Sequence, residues 1–270
     1  MTQPRALLLA AGFGTRLSPL TDKWPKCLMP IGQRPLLAYW LEYVKLMGIE
    51  KTLVNLHHHH GIVHDFLNCS IYQERVQSIF EPVLLGTAGT IRANIEFIGT
   101  NTLLLVHADN WSVCDWKSFL TFHHYERPEN CPITMMTFSC ENPSSCGILE
   151  LDDMGIVKMM HEKVSEPPGN LANAAVYLIE PEVVHWILDR PLISDFSTEV
   201  LPFFMGRIAT WHNKVVHRDI GTPEVLVKAQ FDSMPDISIP MDDSWGKNYL
   251  KNPIFSEINQ LINTSEQNYS

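Results

Sequence analysis

A glycine turn followed by two cationic side chains is the feature of this sequence with the clearest chemistry. Residues 7–35 read LLLAAGFGTRLSPLTDKWPKCLMPIGQRP, so that Gly12 and Gly14 precede Arg16, and Lys26 follows in the same segment. Glycines let backbone N–H groups approach phosphate oxygens closely. Arginine can bridge two phosphates, and lysine acts as a point charge. Because transfer at phosphorus needs such charge neutralisation, the segment predicts a phosphate-transfer site.

Two other phosphate-binding motifs do not fit the segment. Leu17 stands where a dinucleotide-binding fingerprint has its third glycine, and the sequence contains no GxxxxGK[ST] loop. The string HRDI at 217–220 is similar to a kinase catalytic loop, but Glu224 occupies the position of the kinase asparagine. The sequence therefore argues against a dinucleotide-dependent oxidoreductase and against a protein kinase.

The elements that must position this turn alternate between strand and helix patterns. The first half predicts, in order, strand Ala6–Ala10, helix Pro35–Met47, strand Thr52–Leu56, helix Ile62–Asn68, strand Gln77–Phe80, helix Ala88–Phe97 and strand Thr102–Val106. This order predicts an α/β fold, with a mostly parallel sheet and helices on both faces. Ligands of such sheets bind beyond the carboxyl ends of the strands. Both Gly12–Arg16 and Asp109 follow strands at that edge.

The second half is richer in strand patterns. They cover Ile133–Phe138, Gly147–Leu151, Ile156–His161, Ala174–Ile179, Ile208–Trp211 and Val215–Asp219, and helix patterns cover Asp115–Tyr125, Glu182–Leu188, Thr198–Met205 and Pro223–Phe231. From about Ser233 the chain becomes rich in Pro, Asp, Asn and Ser. We therefore expect one domain over residues 1–232 and a polar, loosely docked tail over residues 233–270.

Charge and cysteine usage exclude several classes of protein. The net charge of −10 argues against a nucleic-acid binder or a membrane-surface binder, because both present a basic face. No window of the sequence approaches a membrane span. The six cysteines form no CxxC pair, which is typical of a reducing compartment. The sequence therefore predicts a cytoplasmic protein with small-molecule substrates.

The long run GFGTRLSPLTDKWPKCLMPI resembles the signature of the sugar-1-phosphate nucleotidyltransferase family. The family includes mannose-1-phosphate guanylyltransferases, glucose-1-phosphate thymidylyltransferases and muramate-type uridylyltransferases. The resemblance extends over residues 5–230 and is closest to the mannose-1-phosphate guanylyltransferases. It implies the Rossmann-like fold of nucleotide-diphospho-sugar transferases. It also implies transfer of a nucleoside monophosphate from a nucleoside triphosphate to a sugar 1-phosphate, often in a homo-oligomer.

The resemblance also assigns roles to residues of this sequence. Arg16 and Lys26 are the expected catalytic cations. Asp109 and Asp219 are the expected ligands of Mg²⁺, which is commonly held by one or two carboxylates and by substrate phosphates. The expected nucleotide-binding residues are Ala10, Ala11, Gly12, Gly14, Thr15, Glu81, Gly86 and Thr87. The expected sugar-phosphate-binding residues are Gly147, Glu162, Lys163 and Asn173.

The identity of the two substrates stays open at this stage. An ionised Glu81 only accepts hydrogen bonds, and guanine offers two neighbouring donors where thymine and uracil offer one, which favours GTP. Mannose 1-phosphate is the matching sugar. The alternatives are thymidylyl, uridylyl or cytidylyl transfer to glucose, muramate or another sugar 1-phosphate, and a catalytically silent regulatory relative. Ala175 replaces a glycine that is frequent in the family, and Val164 replaces a frequent proline, so the resemblance does not fix the sugar.

Overall fold

The computed structural model describes residues 3–68 and 71–268. Its first half contains β1 (Arg5–Leu9), α1 (Leu20–Lys23), β2 (Pro30–Ile31), β3 (Arg34–Pro35), α2 (Leu36–Leu46), β4 (Lys51–Leu56), α3 (His60–Leu67), β5 (Val76–Phe80), α4 (Thr87–Ala93), α5 (Ile95–Ile98) and β6 (Leu103–His107). Its second half contains β7 (Asn110–Val113), α6 (Trp116–Thr121), β8 (Ile133–Ser139), β9 (Gly147–Leu151), β10 (Val157–Glu162), β11 (Leu171–Ile179), α7 (Pro181–Leu188), β12 (Ile208–His212), β13 (Val216–Asp219), α8 (Pro223–Gln230), α9 (Ser244–Tyr249) and α10 (Ile254–Asn268). Cys69 lies outside the described residues.

The central sheet is parallel where the sequence predicted it to be. Strands β6, β1, β4 and β5 are neighbours in that order, and all three pairs run parallel. Strand β11 continues the sheet on the other side of β6, antiparallel, and it also pairs with β8 and β9. The predicted α/β class with a mostly parallel sheet is confirmed, and each antiparallel pair of the central sheet includes a strand from the second half of the chain.

Helices cover both faces of this sheet because its inner strands are apolar on both sides. In β1, Ala6 and Leu8 belong to one hydrophobic core, and Leu7 and Leu9 belong to the other. This alternation is the period of two that side chains follow along a strand. Helix α2 packs into the first core, whereas α4 and α7 pack into the second. The buried sheet therefore has a fixed carboxyl edge on which functional groups can be placed.

Two predicted helices are not continuous. The segment Ala88–Phe97 forms α4 and α5, which are separated at Asn94, where the side-chain amide donates to the Thr90 carbonyl at 2.8 Å. The segment Thr198–Met205 was also predicted as one helix. Instead it forms the end of a π-helical turn over Phe196–Val200 and a 3₁₀ turn over Leu201–Phe204. Pro202 lacks the N–H that a continuous helix would need there.

The expectation of a loosely docked carboxyl-terminal tail is wrong. Ile254 and Ile258 are buried in the same core as α2. Tyr249 is also buried, and its ring packs against the rings of Trp24 and Trp245. The Tyr249 hydroxyl donates to the Leu28 carbonyl at 3.1 Å, and Lys23 pairs with Glu257 at 3.0 Å. The prediction used the average composition of the tail, which is polar. Ile254 and Ile258 are spaced i, i+4, so that they give α10 one apolar stripe on an otherwise polar helix. The tail therefore supports the segment that carries Lys26.

Candidate functional site

The glycine turn after β1 sets the direction of the first cationic side chain. Gly14 has a φ of 66°, and a Cβ atom there would lie 2.8 Å from Thr21 Cγ2 and 3.2 Å from Lys26 Cβ. A side chain at Gly14 would therefore be strained and too close to its neighbours. The Thr21 hydroxyl donates to the Gly14 carbonyl at 2.9 Å. The 3₁₀ turn Thr15–Leu17 follows and carries Arg16.

Four charged side chains meet beyond the carboxyl end of β6, and we call them the charge cluster: Arg16, Lys26, Asp109 and Asp219. Lys26 Nζ lies 2.9 Å from Asp109 Oδ2 and 2.8 Å from Asp219 Oδ1. Arg16 Nη2 lies 2.8 Å from Asp219 Oδ2. Strand β13 pairs with β7 so that Asp219 lies opposite Asn110, directly after Asp109 in the chain. The fold thus brings together residues from three distant parts of the sequence.

Burial and mutual attraction fix the ionisation of the charge cluster. Only 6% of the Lys26 side chain is exposed. Burial acts to lower the pKa of Lys26, but the carboxylates of Asp109 and Asp219 outweigh it, and the pKa is raised. Burial acts to raise the pKa of Asp219, but Lys26 and Arg16 outweigh it, and the pKa falls to about 2. At neutral pH Lys26 is therefore a cation and Asp219 an anion.

The oxygen donors of the charge cluster suit a hard divalent cation. Asp109 and Asp219 both approach one point, the position of Lys26 Nζ, at 2.9 and 2.8 Å. Mg²⁺ prefers oxygen ligands and usually retains substrate phosphates and waters in its coordination shell. Within residues 3–68 and 71–268 there is no group of three or more His, Cys, Asp or Glu side chains that could hold a metal. Two carboxylates would therefore leave the remaining coordination positions of Mg²⁺ to phosphate oxygens and waters.

A cavity of about 240 Å³ adjoins the charge cluster and includes Asp109 in its wall. Five of the eight residues predicted to bind a nucleotide also line it: Ala11, Gly12, Glu81, Gly86 and Thr87. Of the remaining three, Gly14 and Thr15 belong to the glycine turn, and Ala10 lies between Leu9 and Ala11, which both line the cavity. The hydroxyl of Thr87 is used within the protein, since it accepts from the Phe196 N–H at 2.6 Å. The Thr87 hydroxyl therefore connects the first residue of α4 to the backbone at Phe196.

Glu81 is held in the cavity wall by three internal hydrogen bonds. Its Oε1 accepts from the Asn55 side chain at 3.0 Å and from the Thr90 hydroxyl at 2.6 Å. Its Oε2 accepts from the Leu85 N–H at 3.2 Å. Asn55 in turn accepts from the Ala10 N–H at 2.9 Å, so that it links Glu81 to the end of β1. Sequence reasoning missed Asn55 and Thr90, although Asn55 lies near the carboxyl end of β4, where ligands of such sheets bind.

Gly147 and Glu162 are brought together at one end of the β9–β10 hairpin, where they lie opposite each other. A Cβ atom at Gly147 would lie 2.7 Å from Glu162 Oε2, so a larger residue would displace this carboxylate. Lys163 follows with a φ of 50°, and its Nζ lies 3.4 Å from Glu162 Oε1. The Lys163 N–H donates to the Cys146 carbonyl at 3.1 Å. The hairpin end thus presents one exposed cation beside one carboxylate.

Asn173 lies on β11 and is largely engaged within the protein. Its side chain donates to the Tyr177 hydroxyl at 2.7 Å and accepts from the Ala175 N–H at 2.9 Å. These bonds stabilise an irregularity in the pairing of β11 with β8, where Ala175 adopts a φ of 53°. This left-handed conformation explains why glycine would be favoured at position 175.

The sheet, the glycine turn, the charge cluster and the adjoining cavity define an α/β protein with a phosphate-transfer type of site. The chain belongs to the nucleotidyl transferase family, whose model matches residues 5–234. It is 27% identical over 241 residues to a mannose-1-phosphate guanylyltransferase of Mycobacterium tuberculosis, covering 87% of this chain and 66% of that protein. It is 29% identical to the mannose-1-phosphate guanylyltransferase catalytic subunit beta of Drosophila melanogaster, covering 73% of this chain and 53% of that protein. The chain thus spans less than two thirds of these relatives' length.

Solved structures share the fold over most of this chain. The crystal structure of HddC from Yersinia pseudotuberculosis complexed with GMP-PN superposes with a TM-score of 0.70 and 24% identity, covering 85% of this chain and 98% of that chain. A candidate glucose-1-phosphate thymidylyltransferase from Bacillus anthracis gives a TM-score of 0.73 at 20% identity, covering 84% and 94%. These likenesses show the nucleotide-diphospho-sugar transferase fold. None of the helices in the described part of the chain has both the length and the apolar character needed to cross a membrane.

Proposed function

We propose that this protein transfers a nucleoside monophosphate from a nucleoside triphosphate to a sugar 1-phosphate and releases pyrophosphate. The observation that carries the proposal is the charge cluster, in which Asp109 both contacts Lys26 and lines the cavity. Two cations and two carboxylates thus lie next to a cavity, and this arrangement supports a site for a nucleotide, its leaving pyrophosphate and Mg²⁺. The mannose-1-phosphate guanylyltransferases to which the chain is similar perform a reaction of this type.

In the proposed reaction the phosphates of the nucleotide lie over Gly12–Arg16. Arg16 and Lys26 neutralise the charge that develops on the departing pyrophosphate. Lys163 binds the phosphate of the sugar, and an anionic oxygen of that phosphate attacks the α-phosphorus in line. No general base is required, because a phosphate monoester is already an anion at neutral pH. Mg²⁺, if bound by Asp109 and Asp219, would supply Lewis-acid neutralisation at the phosphate oxygens.

We further propose GTP and mannose 1-phosphate as the substrates, and this choice rests on the similarity to guanylyltransferases. The contacts of Glu81 support the choice of GTP less strongly than the sequence implied. A carboxylate has about four acceptor positions, and Asn55, Thr90 and Leu85 already use three of them. The position that remains suits one donor of a base, which thymine and uracil also offer. Thymidylyl or uridylyl transfer to glucose 1-phosphate or muramate 1-phosphate is the alternative.

A catalytically silent nucleotide-sugar-binding relative is the second candidate function. The complete charge cluster argues against it, because a regulatory site needs no paired cations and carboxylates at one point. A cytoplasmic location is also proposed, and the five cysteines of the described residues, all free thiols, support it.

The test measures pyrophosphate release for GTP, UTP, dTTP, CTP and ATP, each with mannose, glucose, glucosamine and muramate 1-phosphates, in Mg²⁺ or in EDTA. We expect release with GTP and mannose 1-phosphate that EDTA abolishes. Asp109→Asn and Asp219→Asn should each lower turnover by at least about 10³-fold. Asp153→Asn, in the exposed turn between β9 and β10, is the matched control and should retain turnover. Absence of release with every pair would overturn the proposed function.

A further inference from the structure

Two cysteines that are separated in the sequence meet beside the β9–β10 hairpin end. Cys140 Sγ and Cys146 Sγ lie 2.7 Å apart. The 3₁₀ turn Pro143–Ser145 reverses the chain between them. Backbone hydrogen bonds hold both ends of this turn, because the Cys140 N–H donates to the Asn170 carbonyl at 2.8 Å and the Cys146 N–H donates to the Pro143 carbonyl at 3.1 Å. The fold therefore holds the two thiols together.

The environment of this thiol pair divides the roles between its members. The contact with the Cys140 thiol lowers the pKa of Cys146 to about 7. The same contact raises the pKa of Cys140. Both residues are partly exposed, whereas Cys27 and Cys131 are buried. Because the thiolate is the nucleophile in disulfide exchange, Cys146 is the member that reacts first.

We propose that Cys140 and Cys146 are a modification site that forms a reversible intramolecular disulfide with low-molecular-weight disulfides such as glutathione disulfide. The Cys146 thiolate attacks the reagent, forms a mixed disulfide and releases one glutathione thiolate. The Cys140 thiol then loses its proton and attacks the Cys146 sulfur, which releases the second glutathione thiolate. The two protein thiols lose two electrons and two protons, and the reagent becomes two thiols. In a reducing compartment such a bond is transient, as in redox-sensing proteins.

Closing the bond changes geometry next to the proposed sugar-phosphate site. A disulfide would replace the present contact between the two sulfurs with a covalent bond. That bond would join the backbones on either side of the turn Pro143–Ser145. Cys146 directly precedes Gly147, and its carbonyl accepts from the Lys163 N–H at 3.1 Å. Lys163 has a φ of 50°, so its backbone is sensitive to that contact. Oxidation should therefore shift Lys163. The consequence for binding of the sugar 1-phosphate rests on the proposed function.

The bond itself is tested on the full chain without any assay of activity. The protein is incubated with glutathione disulfide, alkylated and analysed by intact mass and peptide mapping. We expect loss of the mass of two hydrogens, a Cys140–Cys146 link and full reversal by dithiothreitol. Cys140→Ser should stop at a glutathione adduct on Cys146. Cys114→Ser, which removes a thiol elsewhere, should leave the link intact. No link, or a link through Cys69 or Cys114 instead, would overturn the proposal.

The effect on the site is measured separately, on the enzyme oxidised to completion. We expect the KM for the sugar 1-phosphate to rise by about tenfold, with the KM for the nucleotide unchanged, and dithiothreitol should restore the original value. The Cys146→Ser variant should show no change on the same treatment. If the disulfide forms without any kinetic change, the proposed effect on Lys163 is wrong, and the proposed modification site still stands. If the reduced protein releases no pyrophosphate, the proposed function is wrong. The mass measurement still shows whether the disulfide between Cys140 and Cys146 forms.

Discussion

Lys26 Nζ lies 2.8 Å from Asp219 Oδ1, although 193 positions separate the two residues in the sequence. The same nitrogen contacts Asp109, and Arg16 contacts Asp219 from the other side. Two cations and two carboxylates therefore balance one another in a partly buried place. Because a triphosphate would attract both cations, its arrival would leave the carboxylates free for a divalent metal. We therefore propose that the charge cluster links nucleotide binding to metal binding.

Replacing Lys26 with methionine tests this link. Lys26→Met removes one cation but leaves Asp109 and Asp219 in place, so the nucleotide-free protein should bind Mn²⁺ more tightly than the wild type does. Turnover should fall by about 10²–10³-fold, because charge on the leaving pyrophosphate is no longer neutralised. Free Mn²⁺ is counted by electron paramagnetic resonance, and turnover is measured by pyrophosphate release.

Lys23→Met provides the control for that experiment. Lys23 lies in the same segment but is exposed and pairs with Glu257 on α10. Both Mn²⁺ affinity and turnover should stay near the wild-type values in this variant. Unchanged or weaker Mn²⁺ binding in Lys26→Met would show that Lys26 does not compete with a metal for the two carboxylates.

The sequence predicted the charge cluster but not the polar network around it. Arg16, Lys26, Asp109 and Asp219 are recognisable because each lies in a short, distinctive run of residues. Asn55 and Thr90 act through contacts with Glu81, and such pairings between distant positions leave no local pattern. For the same reason the sequence did not predict that Cys140 and Cys146 are in contact, because the two residues do not have CxxC spacing. The tail was mispredicted for another reason, since two buried isoleucines are enough to dock a helix whose average composition is polar.

An exchange of charge between Asn55 and Glu81 tests the network in the cavity wall. Asn55→Asp places a second carboxylate against Glu81 Oε1, which the Asn55 amide now contacts at 3.0 Å. We expect a loss of about 1–3 kcal/mol in the free energy of unfolding, together with a higher KM for the nucleotide. Urea unfolding and steady-state kinetics measure the two effects.

The double variant Asn55→Asp/Glu81→Gln should recover much of both losses. The amide introduced at position 81 can donate to the carboxylate introduced at position 55. The amide carbonyl at position 81 can still accept from the Leu85 N–H, as the Glu81 carboxylate does now. The Ala10 N–H also keeps an acceptor at position 55. Strictly additive losses in the double variant would mean that the two side chains are not energetically coupled.

Ala175 offers a stabilising substitution. It has a φ of 53°, a conformation that costs a residue with a Cβ atom about 1–2 kcal/mol. Ala175→Gly removes that cost but gives the unfolded chain more freedom, so we expect a net gain of about 0.5–1 kcal/mol in the free energy of unfolding. Ala174→Gly, at a buried position of the same strand, should instead lose about 1 kcal/mol. An equal loss of unfolding free energy in both variants would show that the positive φ of Ala175 does not destabilise the folded protein.

Buried His123 makes the stability of the fold depend on pH. Its Nδ1 lies 2.8 Å from the Thr134 hydroxyl, and its Nε2 lies 2.9 Å from Glu180 Oε1. Burial lowers the pKa of His123, against an opposing effect of Glu180. The unfolded chain, with an ordinary histidine pKa of about 6.5, therefore takes up the proton first as the pH falls. Stability is full above about pH 6.5 and is lost progressively below it.

His123→Gln should reduce this loss, because glutamine can hydrogen-bond to Thr134 or Glu180 without titrating. The free energy of unfolding, measured in urea from pH 7.5 to pH 5, should fall less steeply in the variant than in the wild type. The slope should not vanish, because burial also lowers the pKa of other histidines: His107, His124, His212 and His217. Parallel slopes for the two proteins would mean that folding does not change the pKa of His123, and this would contradict the lowering of that pKa by burial.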